Sequence, residues 1–63
     1  MKQYQLEVKI LRDIIASLRI SKAETRTLMK DAPSSANLKS KIYHIEEAIE
    51  SIALAIEELK AVE

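Results

Sequence analysis

The chain has 63 residues, ten basic and ten acidic side chains, no formal net charge, and no Gly, Cys, Trp or Phe. That length makes one domain at most, with a thin margin of stability. Missing Cys excludes disulfide staples and thiolate metal sites, a lone His44 excludes a histidine zinc cage, and missing Gly excludes phosphate-cradling loops and nucleophile elbows.

Chains this small are commonly stabilised by a disulfide, a metal or a partner chain. With the first two closed, a partner is expected and no cofactor is implied. No apolar run approaches the roughly 20 residues of a membrane span. Met1-Lys2-Gln3-Tyr4 leads directly into an amphipathic pattern rather than a signal-peptide core. The expectation is a soluble, cytoplasmic chain.

Ala, Leu, Ile, Lys, Glu and Arg dominate, which suits long helices. A first helix is expected over about residues 3–31. It stops before Pro33, which cannot sit inside a helix and pushes Ala32 out of helical geometry. Lys30 then falls in the last turn, against the negative end of the helix dipole. A turn over about 32–35 follows. Ser34 or Ser35 caps a second helix over about 36–62. Each helix spans about 40–45 Å at 1.5 Å per residue.

Helix 2 carries an apolar seam of Leu38, Ile42, Ile45, Ile49, Ile52, Ile56 and Leu59, an unbroken heptad pattern. The same spacing in helix 1 gives Tyr4, Val8, Leu11, Ile15, Leu18, Lys22, Thr25 and Met29. When positions whose numbers add to 67 are paired, every layer from Met29/Leu38 to Val8/Leu59 matches one seam residue with another. The centre of that pairing falls on Pro33-Ser34. The fold class expected is all-α: one antiparallel, coiled-coil-like two-helix hairpin, completed to a bundle by a partner chain or by dimerisation. Thr25/Ile42 and Lys22/Ile45 are the weak layers. Lys22 can lay its methylenes over Ile45 with its amine in water, or meet an acidic group of a partner.

The apolar surface is wider than one stripe. Ile10, Ile14 and Leu28 flank the helix 1 seam, with Ser21 between them, and Ala48, Ala55 and Val62 flank the helix 2 seam on the same side. These seven residues form the expected protein interface, with small side chains on one helix and large ones on the other. Leu6, Ile20, Tyr43 and Leu54 project toward solvent.

Residues 1–31 carry a net +3 and residues 32–63 a net −3. Arg19 or Arg26 can reach Glu46 across the flank of the seam. Arg12, Arg19 and Arg26 recur every seven residues, extended by Lys9 and Lys30. Such a row is one footprint of a nucleic-acid binder. The neutral total, the acidic second helix and the lack of stacking aromatics argue instead for a solvated, ion-pairing flank, so nucleic acid is not expected. Glu46, Glu47 and Glu50 lie on a solvated helix surface, and no Glu stands three positions before His44. No enzymatic activity is expected.

Ile14-Ile15-Ala16-Ser17-Leu18-Arg19, the Pro-containing turn and the run Glu47-Ala48-Ile49-Glu50-Ser51-Ile52-Ala53-Leu54-Ala55-Ile56 carry a family resemblance. From about Leu11 to Lys60 the chain resembles the small E component of type III secretion systems. The resemblance implies a helical hairpin acting as co-chaperone. It would bind a larger helical-repeat chaperone and hold the needle subunit soluble in the bacterial cytoplasm. The rival expectation is a homodimeric four-helix-bundle structural or regulatory protein, RNA-binding through the Arg12/Arg19/Arg26 row.

Overall fold

The computed structural model describes residues 3–62. Lys2 and Glu63, two of the charges counted above, lie outside them. Two helices, α1 (Gln5–Met29) and α2 (Ala36–Ala61), pack antiparallel as an all-α hairpin. Among the described residues, no helix is long and apolar enough to cross a membrane.

Both helices are slightly shorter than their sequence patterns. Helix α1 starts two residues late because no capping side chain precedes it; the Tyr4 carbonyl accepts the Val8 N–H at 2.9 Å without side-chain help. It ends at Met29 rather than Asp31, which leaves Arg26, not Lys30, as the basic residue of its last turn. The Lys30, Asp31 and Ala32 N–H groups donate to carbonyls three residues back, each at 3.2 Å, which tightens the last turn ahead of the proline.

The Ser35 N–H donates to the Ala32 carbonyl at 3.1 Å, closing a turn with Pro33 as its second residue, where a fixed φ fits. No described residue has a positive φ, so the reversal needs no glycine. Of the two serine candidates, Ser35 is the cap. Its backbone is extended, and its Oγ accepts the Leu38 N–H at 3.2 Å.

The core is formed by Val8, Ile15 and Ile56, with Leu11, Ile49, Ile52 and Leu59 packed against them. All seven are seam residues of the register in which paired numbers add to 67, and they lie toward the open end of the hairpin. Nearer the turn, Met29, Leu38, Ile42 and Ile45 are half-buried. Thr25, expected to sit in a weak layer, is the most deeply buried side chain at 1% exposure. Its hydroxyl donates to the Ser21 carbonyl at 2.8 Å, which removes the penalty of burying it.

The molecule is a rod of 49 × 14 × 10 Å. Its accessible surface is 4900 Å². A compact monomer of 7.1 kDa would have about 4,100 Å². The rod therefore leaves about 800 Å² more surface uncovered than a globule of its mass.

Candidate protein-binding face

The seam divides the hairpin surface into two flanks of opposite character. On one, α1 presents Arg12, Ala16, Arg19 and Arg26, and α2 presents Glu46, Ala53 and Glu57. Arg12, Ala16 and Arg19 line an open groove with Ala53 and Glu57 across the interface. Arg26 Nη2 lies 3.7 Å from Glu46 Oε1, and Lys22 Nζ lies 4.0 Å from the same oxygen. Lys22 thus turns to an acid of its own chain, where solvent or a partner's acid was expected. Of the two arginines able to reach Glu46, Arg26 makes the pair. Lys9 is bound to Asp13 at 2.9 Å, one helical turn away. The Lys9 and Arg26 pairs are exposed and the Lys22 contact is half-buried but long, and each is worth about 0–1 kcal/mol.

The opposite flank holds the predicted interface residues. Ile10 is 49% exposed and Ile14 41%, while Leu28 and Val62 stand out further, at 56% and 64%. Ser21, Ala48 and Ala55 are half-buried. The alanines locate the closer edge of the hairpin: Ala48 and Ala55 tuck toward α1, whereas Ala16, Ala23 and Ala53 are exposed. Small side chains on α2 therefore leave a shallow step beside the larger α1 side chains. Ile10, Ile14, Ser17 and Leu18, with Asp13 at the edge, line a dent along the α1 side of that step.

Two serines belong to this surface that the predicted set omits. Ser17 follows Ile10 by seven residues, and Ser51 lies between Ala48 and Ala55; both are exposed. Their spacing was legible, but polar side chains do not register in a search for apolar rows. With them included, the face from Ile10 to Ser21 on α1 and from Ala48 to Ala55 on α2 has Asp13, at the rim of the dent, as its one charged neighbour within that span. Glu7 and Glu24 on α1 and Lys41 and Glu58 on α2 stand around it.

Leu6, Ile20, Tyr43 and Leu54 are exposed, as the helical wheel required. Tyr43 sets its ring edge-on to His44, with centroids 5.4 Å apart. Among the described residues, no three His, Cys, Asp or Glu side chains gather where they could hold a metal. Compared with protein-family models, with curated proteins and with solved structures, the chain matches none.

Proposed function

We propose that the chain is a non-enzymatic protein-binding adaptor that covers apolar surface on a helical partner, in the manner of a co-chaperone. One observation carries this reading: an uncharged face centred on Ile10, Ile14, Ser21, Ala48 and Ala55 lies uncovered on a hairpin whose other flank is occupied by ion pairs. Contiguous exposed apolar surface on so small a chain is characteristic of an interface. Large side chains beside a row of small ones suit the ridge-and-groove packing of a third helix.

The resemblance to the type III secretion E component supplies the partner class: a larger helical-repeat chaperone that keeps the needle subunit soluble in the bacterial cytoplasm. The arginine row supports an RNA-binding role less well, because Arg26 and Lys9 already have acidic neighbours.

The test is co-purification from cells of the source organism with tagged wild-type and Ile14→Asp chains. Wild type is expected to retain one defined partner and to raise its melting temperature. Ile14→Asp should keep its helical circular dichroism and lose about 1.5–3 kcal/mol of binding, roughly 10- to 150-fold in affinity. Retention of the same partner with undiminished affinity by Ile14→Asp would show that this face is not the binding surface.

A further inference from the structure

The binding face has an internal symmetry. Two neighbouring rows of α2 line it: Lys41, Ala48 and Ala55 at spacings of seven, and His44, Ser51 and Glu58 at the same spacing. Turned end over end about the point between Ile49 and Glu50, these rows complement themselves. Positions whose numbers add to 99 are Lys41 with Glu58, His44 with Ala55, and Ala48 with Ser51. The hairpin register carries the same point onto α1, where paired numbers add to 35. In the middle of the face Ile14 then falls with Ser21 and Leu18 with Ser17, a large side chain against a small one, and at its ends Leu28 falls with Glu7.

We propose that a second copy of this chain occupies the face, forming an antiparallel four-helix dimer with its two turns at opposite ends. Ala48, Ser51 and Ala55 let the two α2 helices approach closely, and Ile14 fills the space over Ser21 of the partner subunit. Lys41 meets Glu58 of the partner subunit on both sides of the two-fold axis. Both residues are exposed, and neither has an ion-pair partner among the described residues.

A two-fold along the length of the hairpin would instead set Glu58 beside Glu7 of the partner subunit and Lys41 beside Glu24 of the partner subunit, a like-charge contact for every opposite-charge one. A standard interface buries about 800 Å² per subunit, and the rod exposes about that much more surface in total than a globule of its mass. Because the adaptor reading assigns the same face to a different protein, and this step rests on that reading, the dimer is the resting form and must open before the partner binds.

Analytical ultracentrifugation of the full chain tests the pairing. Wild type is expected to sediment as a dimer. Lys41→Glu and Glu58→Lys should each raise the dissociation constant about tenfold, and the double variant should recover most of the loss. Spin labels on Ser34→Cys should report a turn-to-turn distance of about 45 Å at 1.5 Å per residue. A monomeric wild type, a double variant no better than the singles, or a distance below about 25 Å overturns the arrangement. A monomer that still captures a protein through Ile14 overturns the dimer alone. A dimer whose Ile14→Asp variant captures that protein unchanged overturns the adaptor reading alone.

Discussion

Thr25 is the most deeply buried residue, and it carries a hydroxyl into an otherwise apolar seam. The Ser21 carbonyl that accepts this hydroxyl is also the acceptor for the Thr25 backbone N–H in the helix ladder. Removing the hydroxyl therefore leaves no buried acceptor unpaired, and an apolar replacement of similar shape is tolerated. Thr25→Val is expected to leave stability within about 1 kcal/mol of wild type, on the favourable side, whereas Thr25→Ala loses buried methyl contacts and is less stable. Urea unfolding with an unchanged m-value measures both. A loss above about 2 kcal/mol in Thr25→Val would mean that the hydroxyl itself holds the layer. Lys22, one turn away, follows the same logic by a different route: its amine lies 4.0 Å from Glu46, so a seam lysine is accommodated by a charge that the opposite helix brings near.

Each helix has one well-defined end and one loose one. Helix α2 begins sharply because Ser35 accepts the Leu38 N–H and Pro33 has already turned the chain. Helix α1 ends sharply for the same proline but begins behind Tyr4 with no side-chain cap. Ser35→Ala is expected to cost about 0.5–2 kcal/mol, while Ser34→Ala costs almost nothing. Thermal denaturation of the two variants side by side reads this difference, and equal melting temperatures would remove Ser35 from the cap. Without a cap, the first turn of α1 depends on packing behind it, where Val8 is the first buried side chain.

The whole molecule is a rod two helices wide, with its best-packed layers toward the open end and a turn that Pro33 stiffens. Its three buried apolar side chains, Val8, Ile15 and Ile56, are a small core for a chain of this length. Association through the uncharged face would add burial that the hairpin cannot supply internally. Stability linked to association depends on concentration. The melting temperature of the wild-type chain is therefore expected to rise across a hundredfold increase in concentration, and that of Ile14→Asp to stay constant. A concentration-independent wild-type melting point would place all of the stability within one hairpin.

The helix-breaking proline and the heptad spacing were sufficient, read alone, to place the reversal and to mark Val8, Ile15, Ile52 and Leu59 as residues of one shared core. Both are consequences of local sterics and of helical period, which depend only on the order of residues. The row of Ile10, Ile14, Ala48 and Ala55 was legible for the same reason. What required the tertiary structure was every choice between near neighbours: Ser35 over Ser34 as the cap, Arg26 over Arg19 as the partner of Glu46, and the deep burial of Thr25. These are decided by distances between helices, which differ by a few ångströms among residues that share one face and one chemistry. Ser17 and Ser51 were legible at the same spacing and went unread because they are polar. A periodic pattern specifies a direction around a helix axis. How closely the second helix approaches there is set by the packing of both.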